Sequence, residues 1–358
     1  MGRHRTAVLG SPVRLGAPDG GTRYRRAERA RNIPATWHRA LLQIVVSASV
    51  VVCLHAEQGR PTFRAHVATV PIYATVRSDD GTLVSGLTRE DFEIKDNGVP
   101  RDITVFSRLT VPITVALMLD MSGSQERGVE WMRDAGHAFV EALVPADRMR
   151  IGTFGAEIAI SPRLTGDRRY LHRVLDEEVW PGGGTPLWSA LDRAMTSLGA
   201  EDGRRVILAL TDGFDSMGPS MSTTDSGFQS ASGEKWSVGT VAAPYARVRR
   251  RSIQEGFLLY AVAHEVPWAP IRLGRRPDLA SLSQDMRDLA LESGGGYRVF
   301  GLAKDANAAM VEVAEELHAQ YELGFSPAAF DGKEHKLALT VRHRGMTVQA
   351  RKSYVATP

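Results

Sequence analysis

Three short polar segments carry side chains that are suited to binding a divalent cation. They are DMSGS (120–124), GGGT (182–185) and TDG (211–213), and the first and last each follow an apolar run. Their candidate ligand atoms are carboxylate and hydroxyl oxygens, with no sulfur or imidazole among them. This donor type suits Mg²⁺, Mn²⁺ or Ca²⁺ rather than zinc or copper. The candidate ligands are Asp120, Ser122, Ser124, Thr185 and Asp212.

The segments around these motifs predict the elements that position them. The run VPITVALMLD (111–120) is almost entirely apolar, which is typical of a parallel strand buried on both faces. Further strands are predicted at 148–154, 206–210 and 257–263, and helices at 125–143, from Pro186 onwards with Thr185 as the N-cap, and around 310–317. Alternating strands and helices predict an α/β fold with a doubly wound, mainly parallel, Rossmann-like sheet over residues 111–318. Because such sheets bind ligands at the carboxyl ends of their strands, we expect the three motifs to meet there.

Strand patterns also flank this predicted domain. A small β-sandwich-like module is predicted at 59–110, where Asn97-Gly98 is a typical two-residue hairpin turn. Alternating apolar residues after Gln320 predict a short β extension at 319–358. With a leader at 1–58, the chain is predicted to have four parts.

The three polar motifs together resemble the metal-ion-dependent adhesion site of von Willebrand factor type A (vWA) domains, in order and in approximate spacing. The resemblance implies that Ser122, Ser124 and Thr185 contact the ion directly, whereas Asp120 and Asp212 act largely through bound water. It also implies an exchangeable position on the ion, which a carboxylate of a protein partner fills. Residues beside the motifs and after the strand at 257–263 would form a partner-binding rim: Gly184, Gly213, His264 and Glu265.

Two further segments resemble the bacterial VWFA-related proteins that are common in acidobacteria. They are GLTREDFEIKDNGVPRDITVFS (86–107), before the predicted vWA domain, and QYELGFSP (320–327), after it. The resemblance extends over about residues 66–355. It implies a fold more firmly than a role, since the family has little assigned function.

The N-terminal part is predicted to direct the chain out of the cytoplasm. Residues 1–40 hold nine arginines and two acidic residues, so residues 41–358 carry a net charge of −4 although the whole chain is at +3. The basic stretch is followed by the uncharged run ALLQIVVSASVVVCL (40–54), and this order favours a secretory signal peptide. The alternatives are a membrane anchor, lipidation at Cys53 and a buried core helix. We therefore predict a secreted, periplasmic or envelope-associated protein that does not bind nucleic acid.

Plainer interpretations exist for each candidate residue. Asp and Ser at the start of a helix are by default capping residues, and Thr185 before Pro186 would also make a good cap. His264 and Glu265 are more often ordinary loop residues than ligands. The agreement of three separate motifs favours a metal site over caps alone.

The sequence favours a binding protein over an enzyme. No GxSxG elbow surrounds the candidate serines, and no P-loop or GxGxxG motif follows a strand. We predict an exported module that captures an acidic group of a protein partner through Mg²⁺, Mn²⁺ or Ca²⁺. The alternative is a structural or assembly factor of the cell envelope whose vWA domain binds a subunit without metal. A metal-activated hydrolase is a third, less favoured hypothesis.

Overall fold

The computed structural model describes residues 69–108, 111–122, 129–155, 157–177, 185–211, 228–229, 235–236, 238–264 and 279–357. The chain divides into Met1–Ala65 and His66–Pro358, and every described residue belongs to the latter. The predicted leader at 1–58 therefore lies outside the described residues. Within the described part of the chain, no helix is long and apolar enough to cross a membrane.

The strands, in chain order, are β1 (Val70–Ser78), β2 (Phe92–Asp96), β3 (Val99–Arg101), β4 (Val105–Ser107), β5 (Ile113–Asp120), β6 (Arg148–Phe154), β7 (Ile158–Ile160), β8 (Arg204–Thr211), β9 (Phe228–Gln229), β10 (Lys235–Trp236), β11 (Leu258–His264), β12 (Tyr297–Phe300), β13 (Tyr321–Phe325), β14 (Glu334–Val341), β15 (Met346–Gln349) and β16 (Ser353–Val355). The helices are α1 (Val129–Ala142), α2 (Arg168–Glu177), α3 (Leu187–Ser197), α4 (Val238–Glu255), α5 (Leu279–Ser293) and α6 (Ala303–His318).

A six-stranded sheet in the order β12-β11-β8-β5-β6-β7 forms the centre of the α/β part. All its strands are parallel except β7, which pairs antiparallel with β6. Every residue of β5 is buried, because helices cover both faces of the sheet. Val115 and Leu117 pack with α1, α2 and α6, whereas Ala116 and Met118 pack with α3, α4 and α5. The predicted doubly wound, mainly parallel α/β fold is confirmed.

Two four-stranded sheets, β15-β1-β13-β4 and β16-β14-β2-β3, enclose a separate apolar core. Each sheet mixes strands from both ends of the described chain, since β1 lies between β13 and β15, and β2 pairs with β14. The segments that the sequence analysis described separately, 59–110 and 319–358, therefore contribute strands to the same sandwich. The predicted hairpin is confirmed: Asn97 and Gly98 join β2 to β3 with φ values of 49° and 84°.

A buried carboxylate connects the sandwich to the α/β part. Glu316 of α6, which is 2% exposed, accepts hydrogen bonds from Thr75 Oγ1 at 3.2 Å and Arg77 Nη2 at 2.6 Å, both on β1. It also accepts hydrogen bonds from two residues of the α/β part, Tyr260 Oη of β11 at 3.0 Å and Arg298 of β12. Burial and the neighbouring Glu316 charge hold the pKa of Tyr260 well above its usual value, so this hydroxyl stays a donor.

Candidate metal centre

The ends of two adjacent strands place Asp120 beside Thr211. Strands β5 and β8 are parallel neighbours at the middle of the sheet, with Leu119 opposite Leu210. The next residues, Asp120 and Thr211, end their strands at the same edge, and both are 0% exposed. The apolar strands β5 and β8 thus each end in a polar side chain at the carboxyl edge, where ligands of parallel α/β sheets bind.

Two neutral groups hold the Asp120 carboxylate. Thr211 Oγ1 donates to Asp120 Oδ2 at 2.6 Å, and the backbone N–H of Ser122 donates to Asp120 Oδ1 at 3.1 Å. The first distance is in the range of charge-assisted O–H···O⁻ bonds. These two bonds orient the carboxylate at the carboxyl edge of the sheet. Its oxygens are of the donor type that a hard divalent cation accepts, so this arrangement fits a metal site.

Ser122 and Thr185 add two buried hydroxyl side chains, exposed by 1% and 3%. Ser122 follows Asp120 by two positions and so lies at the same edge. Thr185 lies two residues before α3, whose C-terminus leads through residues 198–203 into the start of β8. Because α3 runs back against the strand direction, its N-terminus also lies towards the carboxyl edge.

The prediction that Thr185 caps this helix is wrong. Helix α3 begins at Leu187, and Pro186 occupies the cap position, where no side-chain hydrogen bond is made. The backbone oxygen of Pro186 accepts a hydrogen bond from the Ala190 N–H at 2.9 Å, as the cap residue of a helix does.

The described members of the predicted site fit a hard cation by donor chemistry. They are one carboxylate and two hydroxyls, the oxygen donors that Mg²⁺ accepts. Among the described residues, no three His, Cys, Asp or Glu side chains are grouped to hold a metal ion, and the described members of the predicted site are mainly hydroxyls. The remaining candidates lie outside the described residues: Ser124, Asp212, Gly184, Gly213 and Glu265.

His264 lies at the expected edge, within an aromatic cluster that the sequence analysis did not foresee. It ends β11, its ring stacks on Phe300 at 5.0 Å between centroids, and it lies 5.4 Å from the ring of Trp131. Trp131 and Phe300 meet edge to face at 5.2 Å. The first turn of α1 thus packs against the ends of β11 and β12. Trp131 lies seven residues after the DxSxS motif, and no sequence pattern predicted that it would contact His264.

Residues 115–214 match the family model described as the von Willebrand factor type A domain. The matched range begins in β5 and ends just beyond β8, so it contains Asp120, Ser122, Thr185 and Thr211. Together with the observed sheet, this match shows that the α/β part has a vWA-like fold.

Solved structures resemble the chain at low sequence identity. BatB of Bacteroides thetaiotaomicron is 15% identical with a TM-score of 0.40, covering 58% of this chain and 98% of that one. A von Willebrand factor type A protein of Catenulispora acidiphila is 13% identical with a TM-score of 0.45, covering 82% and 76%. The vWF domain of a type V pili tip protein of Porphyromonas gingivalis is 13% identical with a TM-score of 0.42, covering 58% and 95%. Structural resemblance at these sequence identities and TM-scores carries no information about the function of this chain. No curated protein sequence matches the chain.

Proposed function

We propose that the vWA-like part binds a protein partner through a divalent cation at the carboxyl edge of its sheet. The observation that carries this proposal is the buried Asp120 carboxylate, which Thr211 and the Ser122 amide orient at the end of the central strand. Together with the buried hydroxyls of Ser122 and Thr185, this carboxylate supplies the oxygen donors that Mg²⁺ prefers.

Some residues of the chain would bind the ion directly, and others would bind it through water. The hydroxyls of Ser122, Ser124 and Thr185 would be its direct ligands, while Asp120 and Asp212 would orient bound water and balance charge. Neutral hydroxyl ligands leave much of the ion's charge uncompensated, so the bound Mg²⁺ would supply an electrophilic position for an anionic group. A carboxylate from a partner would occupy that position as a charged ligand.

Surfaces beside the site would contact the rest of the partner. His264 lies at this edge with Trp131, and aromatic side chains are enriched where proteins bind one another. Gly184, Gly213 and Glu265 belong to the same proposed rim on the basis of sequence. We further propose that the N-terminal segment exports the chain or anchors it to the cell envelope, and that the site binds rather than catalyses.

A cation-binding measurement tests the proposal without a known partner. Titration of the full chain with Mn²⁺, followed by electron paramagnetic resonance of the free ion, should show saturable binding that Mg²⁺ displaces. Asp120→Asn and Ser122→Ala should each weaken binding about tenfold or more, as loss of metal-orienting groups does. Ser197→Ala, a change near the far end of α3, should have no effect.

Partner capture then separates the two binding hypotheses. The chain, immobilised and exposed to a native envelope extract, should retain a partner in Mg²⁺ and release it in EDTA. Retention that survives EDTA and the Asp120→Asn substitution would instead support a metal-independent assembly role and contradict the proposal.

A further inference from the structure

Helices α1 and α2 carry the same two-residue pattern, a histidine followed four residues later by an acid. The pairs are His137 with Glu141 on α1, and His172 with Asp176 on α2. Each histidine contacts the acid of the other helix: His137 Nε2 lies 2.9 Å from Asp176 Oδ1, and His172 Nε2 lies 2.7 Å from Glu141 Oε1. This crossed pairing shows that the helices pack antiparallel, with the four side chains in a nearly two-fold arrangement.

The two imidazoles face each other through their remaining nitrogens. His137 Nδ1 and His172 Nδ1 are 2.6 Å apart, with ring centroids separated by 4.8 Å. An ionised carboxylate only accepts hydrogen bonds, so both Nε2 atoms are the donors to Asp176 and Glu141. The lone pairs of both Nδ1 atoms therefore point into the space between the rings. Two lone pairs at this distance repel unless a cation, either a proton or a metal ion, lies between them.

The surrounding charges also favour a cation at this position. Glu141 and Asp176 bring two negative charges, and Arg168 Nη1 lies 2.9 Å from Glu141 Oε2. These three groups together carry a net charge of −1, which favours a cation between the rings. Both histidine side chains are 28% exposed, so the space between them is accessible from solvent.

Close helix packing holds the pair in place. Gly136, which precedes His137, lies against Leu175, and a Cβ at Gly136 would be 2.8 Å from Leu175 Cδ2. A small residue here lets the two helices approach closely enough for the imidazoles to meet. The histidines therefore project from rigid elements, which favours a preformed site.

We infer that His137 and His172 form a second metal site, for a late first-row divalent cation such as Zn²⁺. Imidazole nitrogen suits Zn²⁺, Cu²⁺ and Ni²⁺, in contrast to the oxygen donors at Asp120. A carboxylate behind each metal-binding histidine is the usual orienting partner of such ligands. With Zn–N bonds of about 2.0–2.1 Å, the two Nδ1 atoms would separate from 2.6 Å to roughly 3.3 Å when the ion binds. Within the described residues no third His, Cys, Asp or Glu joins them, so water or another molecule completes the coordination.

The test is a calorimetric titration of the untagged full chain with ZnCl₂ in excess MgCl₂, which occupies the proposed oxygen site. The wild type should bind one equivalent of Zn²⁺, and Zn²⁺ should raise its melting temperature. His137→Gln and His172→Gln should each weaken binding about tenfold or more, and Glu141→Gln with Asp176→Asn should weaken it while leaving both ligands in place.

Two control variants distinguish this histidine pair from other histidines and from the proposed Mg²⁺ site. His343→Gln alters an exposed histidine that contacts Asp91 at 2.7 Å, and it should bind Zn²⁺ as the wild type does. Asp120→Asn should also leave Zn²⁺ binding unchanged, so failure of the proposed Mg²⁺ site and failure of this one are separable. Equal Zn²⁺ affinity in the wild type and in both single-histidine variants, or loss of binding in Asp120→Asn, would overturn the inference.

Discussion

The hydroxyl of Thr211 donates a 2.6 Å hydrogen bond to the Oδ2 atom of Asp120, linking the ends of β8 and β5. The two residues are separated by ninety-one positions in the chain, yet both are fully buried at one edge of the sheet. Thr211 was not among the predicted ligands. Its contribution is to orient the carboxylate, a role that depends on the pairing of two parallel strands.

Substituting Thr211 by valine should destabilise the protein and weaken cation binding. Valine keeps the shape of the side chain but removes the donor, so the buried carboxylate loses a hydrogen bond at a cost of about 1–3 kcal/mol. Urea unfolding and Mn²⁺ titration measure the two effects. Thr211→Ser, which keeps the hydroxyl, should lie close to the wild type; equal losses in the valine and serine variants would show that the methyl group matters rather than the hydrogen bond.

Substituting Glu316 by glutamine should loosen the connection between the sandwich and the α/β part. The change leaves the guanidinium groups of Arg77 and Arg298 without their shared anion. We expect a loss of about 2–3 kcal/mol, below the roughly 3–5 kcal/mol for breaking fully buried pairs, because both arginines are partly exposed. The control Glu315→Gln changes an exposed neighbour on α6 and should be nearly neutral in urea unfolding. A neutral Glu316→Gln variant would contradict this account.

The stability contributed by His335 should decrease as the pH rises. Hydrogen bonds to Asp96 at 2.8 Å and to Asp331 at 3.2 Å raise the pKa of His335 above its usual value. A raised pKa in the folded state gives stability that is fully present below about pH 6.5 and is lost as the pH passes the folded value. The difference in unfolding free energy between wild type and His335→Gln should therefore be largest near pH 5.5 and smaller near about pH 8. A difference that grows with pH would reverse the assigned sign.

Replacing Gly295 by alanine should strongly destabilise the folded protein. Gly295 lies between α5 and β12, and a Cβ there would be 1.9 Å from the backbone oxygen of Leu259 on β11. Backbone atoms cannot move aside as a flexible side chain can, so we expect a loss of about 3 kcal/mol or more. Thermal unfolding measures it against Gly301→Ala, where the new Cβ meets nothing within 4 Å. Similar melting temperatures for the two variants would contradict the contact.

Local sequence patterns predicted much of the α/β part. The apolar run at 111–120 became β5, and the helix expected at 125–143 is described as α1 over Val129–Ala142. Such predictions succeed because a buried parallel strand and an amphipathic helix impose their periods on neighbouring residues. Helix α2 and the short antiparallel strand β7 were not predicted, because short elements contain too few residues to show a clear periodic pattern.

Long-range pairing could not be predicted in the same way. Strand β1 lies between β13 and β15, which follow it by more than two hundred residues. Alternating apolar residues show that a strand has a buried face, but not which strand will pair with it. Likewise, the cap predicted at Thr185 rested on residue preference alone, and the structure places the cap one residue later, at Pro186.

By itself the sequence determined the types of elements, because these follow from periodicity. From side-chain type it also predicted that the oxygen-bearing DxSxS, GGGT and TDG motifs belong at one edge of the sheet. The tertiary structure alone decided that Thr211 orients Asp120 and that His137 meets His172 between two helices. Both contacts depend on distances of a few ångströms between residues far apart in the chain. Only the packing of strands and helices brings such residues together.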